Sequence, residues 1–251
     1  NTFLSNGFKN SDLDVIGAEL WLKEDEDWSD LIEAPSDFTE YFAYQDYTFS
    51  GDFTGWDFSN VNLHGNSLQD SNLVGCDFSS TDLSSVNLGG TDCTKSTFFR
   101  AILVGTGFEN AKLFQCSFEK ATIYNSDFTG ADLSEANLSN LDLSGMEFSE
   151  VDFSKANLVS ADFSKSNLSD CCFIGANLNG ARFDGADLTN SDFSNATLTN
   201  CSFQNAELAN VNFAGSNLSG ASLLGSNIST RKLRFAKLFN TFMPDGTVST
   251  A

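Results

Sequence analysis

From Phe53 to Leu238 every fifth residue is Phe, Leu or Ile, with Cys93 the single exception. That makes 38 consecutive five-residue units without an insertion or a deletion. A period of five excludes an amphipathic helix, whose apolar positions recur near 3.6 residues. Two residues before most centres stands a small residue, as at Ala131, Ala136, Val151, Ala156 and Ala161. In an extended segment a spacing of two puts the small residue and the centre on one side. The residue between them, usually Asp or Asn, faces the other way. The last two places of each unit are rich in Ser, Thr, Asn and Gly, which suits a corner with positive φ. Each unit is therefore a short extended piece followed by a corner. Alone it cannot bury its apolar side; stacked around a common axis, the units build a continuous core.

The motif of small residue, Asp or Asn, Leu or Phe, and two polar residues resembles the pentapeptide-repeat family. The resemblance covers about three quarters of the chain. It implies an all-β fold, the family's right-handed quadrilateral β-helix, with four units per twenty-residue coil. Centres twenty apart match in kind (Phe with Phe, or Leu/Ile with Leu/Ile) in 24 of 34 pairs, where composition alone gives roughly 17. One column reads Phe58, Phe78, Phe98, Phe118, then Leu from 138 to 238. The 38 units make about 9–10 coils and a rod about 45 Å long at ~4.8 Å per coil.

Three regions are expected: an acidic N-terminal segment with a partial coil over 1–50, the β-helix over 51–243, and a tail over 244–251. Solenoids need protected ends, so the first region reads as an irregular, part-helical cap. Ser29 suits an N-cap for a short helix ending before Pro35. Trp21, Trp28, Leu31 and Ile32 make the same segment a candidate docking arm.

The net charge of −21 comes from 34 acids and 13 bases. Residues 1–50 carry −10 of it and the rest of the chain −11. So acidic a chain is not expected to bind nucleic acid directly, because phosphates repel it. Inside the rod the outward positions between Cys93 and Tyr124 depart from Ser, Asn and Asp. They hold Phe99, Arg100, Ile102, Val104, Lys112, Phe114, Lys120 and Tyr124. Mixed aromatic, aliphatic and basic groups are an interface composition, and these eight are the candidate partner-binding residues. Stacking at twenty residues places Arg100 beside Lys120 and Val104 beside Tyr124.

Catalytic, metal and cofactor sites are not expected. There is one His, no CxxC, and no phosphate-binding loop. Five of the six Cys occupy inward or central places and read as core thiols; Cys172 alone faces outward. The recurrent Asp reads as a hydrogen-bonding element of the repeat. No apolar run reaches the ~18 residues of a spanning helix, so membrane insertion is not expected.

The expected function is a non-enzymatic scaffold that binds protein partners through faces of a rigid rod, including peripheral association with a photosynthetic or other membrane complex. The alternative, implied by resemblance to the quinolone-resistance branch of the family, is a DNA-mimicking inhibitor or protector of a type II topoisomerase. The start at Asn1 and the closing Met243-Pro244-Asp245-Gly246, which resembles cyanobacterial and plastid members, favour a plastid, thylakoid-lumen or cyanobacterial compartment over a bacterial cytoplasm.

Overall fold

The computed structural model of the chain describes residue 48 and residues 50–250. The expected N-terminal cap helix, and with it Trp21, Trp28, Leu31 and Ile32, lies outside the described residues. The described part is a β-helix solenoid. Its outward residues pair in parallel with residues twenty further on, as in Asp57 with Asp77, Asn62 with Asp82, and Asp52 with Asn72. Four such ladders run along the rod, one per face. We name the faces by their first central residues, Phe53, Phe58, Leu63 and Leu68.

Three local devices explain why this sequence turns every five residues. The last residue of almost every unit has a left-handed backbone, including Asn60 (φ 61°), Asn110 (φ 56°) and Asn200 (φ 59°). Asn and Gly enter that region at the least steric cost, which accounts for their frequency there. The outward Asp or Asn accepts the backbone N–H two residues on: Ser59 N to Asp57 Oδ1 at 2.8 Å, Ser154 N to Asp152 at 2.8 Å. This is an Asx turn, so the side chain holds the corner. Finally, the N–H three residues after a centre closes back on the central carbonyl, as in Ala176 N to Phe173 O at 3.0 Å.

The core is a set of stacks. Phe58, Phe78, Phe98 and Phe118 lie face to face at 5.0, 5.1 and 4.7 Å. Phe153, Phe173, Phe193 and Phe213 do the same at 4.9, 4.5 and 5.4 Å. The coil spacing sets these distances, and rings on neighbouring faces meet edge to face, as Phe183 and Phe193 do. Both geometries suit the aromatic quadrupole. At the small inward place, buried hydroxyls bond to the previous coil: Thr81 Oγ1 to Phe58 O at 2.6 Å, Ser191 Oγ to Leu168 O at 2.7 Å. Cys76, Cys116, Cys171 and Cys201 take the same role, their thiols donating to carbonyls at 2.8–3.0 Å. All six Cys are free.

The regularity fails in two places. Leu141 and Met146 occupy inward positions that elsewhere between 61 and 226 hold Ala, Ser, Thr, Cys, Val or Asn. The Leu63-face ladder is continuous from Asn62 to Thr122, omits the step from Thr122 to Asp142, and resumes with Asp142–Asp162. The missing step lies beside the oversized Leu141, while the Asp127–Glu147 step beside Met146 is kept. Further on, the five-residue spacing continues through Leu233 in sequence, but Thr230–Leu233 is a 3-10 helix. Glu207 then finds no ladder partner at 227; the Asn227 side chain instead accepts Leu208 N at 2.7 Å. The Phe58- and Leu63-face ladders run on past it through Asn217–Lys237 and Ser222–Phe242. Residues 244–250, expected as a tail, fold back so that Val248 pairs antiparallel with Phe242 and Thr241 N donates to Ser249 Oγ at 3.0 Å.

Candidate interaction faces

The outward side chains are what this rod presents, so the candidate sites are its faces. On the Leu63 face two units keep their fourth residue extended instead of turning. They form β1 (Ile102–Val104) and β2 (Thr122–Tyr124), a parallel pair with Ile102 opposite Thr122 and Val104 opposite Tyr124. β-branched and aromatic residues favour this extended backbone. The usual corner bond is replaced here: Thr106 N donates to Ser126 Oγ at 3.3 Å. Leu103 and Ile123 point inward, while Ile102, Val104 and Tyr124 are exposed, Tyr124 by 67%. At the corner preceding β1, Phe99 is flanked by Arg100 Cζ at 5.1 Å and Lys120 Nζ at 5.2 Å from its ring centroid. Lys120 also pairs with Glu119 at 3.3 Å. Cation–π contact of this kind holds both cations at the rim of the apolar island.

The eight expected residues do not form one surface. Phe99, Arg100, Ile102, Val104, Lys120 and Tyr124 come together. Lys112 belongs to the ladder Asp92–Lys112–Asp132 on the Phe53 face, half a coil from β1, where Nζ pairs with Asp92 at 3.2 Å. Phe114 follows it there, half-buried. Sequence nearness misleads here because ten residues along this chain is half a turn.

A second face escaped residue-by-residue reading. On the Leu68 face, the units from 66–70 to 206–210 carry eight carboxylates, among them Asp70, Asp127, Glu147, Asp187 and Glu207, and no Lys or Arg. Summing charge by twenty-residue column would have found it. The other three faces mix both signs.

The five buried thiols are unsuited to nucleophilic chemistry. Burial pushes Cys76, Cys93, Cys171 and Cys201 up to about 12, and Cys116 well above its ordinary value. Cys172 is half-buried with Sγ 3.1 Å from Ser154 Oγ. Among the described residues no group of three or more His, Cys, Asp or Glu is placed to hold a metal ion, and no helix is long and apolar enough to cross a membrane.

Two family models match. One, described as a pentapeptide repeat region, covers residues 146–223; the other, pentapeptide repeats in eight copies, covers 57–92, 76–113 and 91–130. Together they span more than half the chain. Among solved structures the chain is similar to HetL, a pentapeptide repeat protein involved in heterocyst differentiation regulation from the cyanobacterium Nostoc. Identity is 25% over 82% of this chain and 92% of that one, with a TM-score of 0.40. It is also similar to QnrB1, a plasmid-mediated fluoroquinolone resistance protein, at 22% identity over 77% and 92%, with a TM-score of 0.58. A thylakoid-lumen pentapeptide repeat protein of Arabidopsis thaliana matches at 24% identity over 65% and 72%, with a TM-score of 0.16. The QnrB1 likeness supports a shared fold. No curated protein sequence matches.

Proposed function

The chain belongs to the pentapeptide-repeat family, and we propose that it is a non-enzymatic scaffold that binds protein partners through the Leu63 face. The observation that carries this reading is the exposed island of Ile102, Val104 and Tyr124, rimmed by Phe99, Arg100 and Lys120. Exposed apolar surface lowers the free energy when a partner covers it, and buried aromatic and Arg anchors dominate protein interfaces. The rim cations favour a partner with an acidic border. Lys112 and Phe114 form a separate, smaller candidate surface. In this reading the solenoid is the right-handed quadrilateral form with about 9–10 coils. Residues 1–50 are its N-terminal cap or docking arm, 51–243 the rod, and 244–251 its C-terminal tail. Peripheral attachment to a membrane complex in a plastid or cyanobacterial compartment fits this role.

The test is capture of partners by the full chain against a Val104→Ser/Tyr124→Ser variant. We expect the variant to lose the partner while melting at the same temperature. Undiminished capture would remove the island from consideration.

A second reading, a DNA-mimicking ligand of a type II topoisomerase, draws on the Leu68 face. From Asp70 to Glu207 its eight carboxylates stretch over about 34 Å at ~4.8 Å per coil, roughly one charge per 4 Å. Duplex DNA carries about one per 1.7 Å, so the face is less than half as dense. Relief of fluoroquinolone inhibition of gyrase supercoiling by the purified chain tests it; no relief at protein excess over enzyme would end it.

A further inference from the structure

The described residues contain one concentrated basic surface, at the C-terminal end of the rod. Arg231, Lys232, Arg234 and Lys237 are all exposed, and no Asp or Glu occurs between Glu207 and Asp245. Those two flanking acids are engaged elsewhere: Glu207 accepts the Asn227 amide, and Asp245 accepts Thr247 N at 3.0 Å and Oγ1 at 2.7 Å. In mid-rod, Lys112, Lys155 and Arg182 each hold a carboxylate at 3.0–3.3 Å. Among the described residues the four terminal cations have none. Beside them stand the exposed rings of Phe235 (62%), Phe239 (54%) and Phe242 (49%), with Arg234 Cζ 4.1 Å from the Phe235 centroid. Lys232, Arg234, Lys237 and the three Phe fall at outward places of the five-residue repeat, and the 3-10 helix at Thr230–Leu233 adds Arg231, which a regular coil would turn inward.

Basic groups among exposed rings fit a ligand that is both acidic and apolar. The chain contains one. Residues 19–33 hold seven carboxylates against Lys23, interleaved with Leu20, Trp21, Leu22, Trp28, Leu31 and Ile32. A chain's own segment is poorly placed to reach its own tip. Eight successive ladder steps separate Thr48 from Glu207, about 38 Å at ~4.8 Å each, and the tip lies beyond. The 14 residues from 34 to 47 reach at most about 48 Å even when fully extended, so a chain could meet its own tip only by using almost all of that length.

We propose that the basic, Phe-rich C-terminal end of the rod binds the acidic, Trp-containing segment 19–33 of a second copy. The contact is heterologous, donor end to acceptor end, so it does not close on itself and builds linear chains of rods. It is driven by charge at the rim, which salt screens, and by apolar burial at the Phe and Trp side chains.

The test is sedimentation velocity of the full chain over a concentration series at low and high salt. We expect assembly at low salt that grows with concentration and shrinks at high salt. A tip variant (Arg231→Glu, Lys232→Glu, Arg234→Glu, Lys237→Glu) and a segment variant (Asp25→Lys, Glu26→Lys, Asp27→Lys) should each sediment as monomers. Mixed together they should assemble again, since each now complements the other. Circular dichroism melts check that both stay folded. A wild-type chain that stays monomeric at low salt, a tip variant that still assembles, or a mixture that does not, overturns the proposal. So does binding to phosphatidylserine vesicles without self-assembly, which would assign the end to a lipid surface instead.

Discussion

Val104 and Tyr124 are partners one coil apart on a parallel ladder, and both side chains are exposed, Tyr124 more than Val104. Side chains exposed to this degree contribute little to stability beyond what Ser would. Replacing both with Ser should therefore change stability by no more than about 0.5 kcal/mol, the usual range for surface substitutions. Chemical denaturation measures this; a loss above about 2 kcal/mol would mean the pair is structural.

The missing ladder step between Thr122 and Asp142 predicts an inversion of the usual core rule. Leu143 is a fully buried centre, and Leu143→Ala should cost about 3 kcal/mol. Leu141 is also buried, in an inward place that elsewhere holds a smaller residue. Leu141→Ala should cost under about 1 kcal/mol, because the coils close over the smaller side chain. Equal costs in urea unfolding would show that Leu141 fits its site.

Buried thiols predict an alkaline weakness. Their folded values lie near 12, above the ordinary 9.0. Stability is thus complete below about pH 9 and falls as the pH rises towards 12, by ~1.4 kcal/mol per pH unit for each thiol. Cys116→Ser/Cys171→Ser/Cys201→Ser should flatten this decline. Ser can keep the inward hydrogen bond, as Ser166 does to Leu143 O at 2.8 Å. Melting temperatures across pH 8–11 compare the two chains; parallel curves would refute the burial of these thiols.

At the acid end the sign reverses. The Ser144 hydroxyl and N–H hold the Asp142 carboxyl below its ordinary value of 3.8, the N–H at 3.1 Å. Its contribution is present above that value and lost as the pH falls through the lower, folded one. Asn at this place still accepts the corner N–H, as Asn137 does from Ser139 at 3.2 Å. Asp142→Asn should therefore match the wild type at pH 7 and lose less stability on acidification below about pH 4. Asp142→Ala should lose about 1 kcal/mol at pH 7, and the gap from the wild type should shrink below about pH 4. If Asn behaved like Ala at pH 7, the corner would depend on charge and not on the hydrogen bond.

The period of five determined by itself which side chains enter the rod. An alternating backbone leaves little choice once corners recur at fixed intervals, so Phe98, Phe118 and the inward Cys could be placed from their positions alone. The outward Asp was legible as a corner-holding residue for the same local reason. What lies beside what on the surface was harder. Arg100 with Lys120 and Val104 with Tyr124 followed from the twenty-residue coil. The same coil separates Lys112 and Phe114 from them and gathers eight carboxylates onto the Leu68 face, because neighbours across coils are set by closure of the turn and not by distance along the chain. Tertiary structure alone decided where the repeat yields. Leu141 fits the apolar pattern, yet the ladder step beside it, from Thr122 to Asp142, is absent. The unit 231–235 keeps Leu233 at the expected place, yet Arg231 falls where a small inward residue belongs, and the backbone turns into a 3-10 helix.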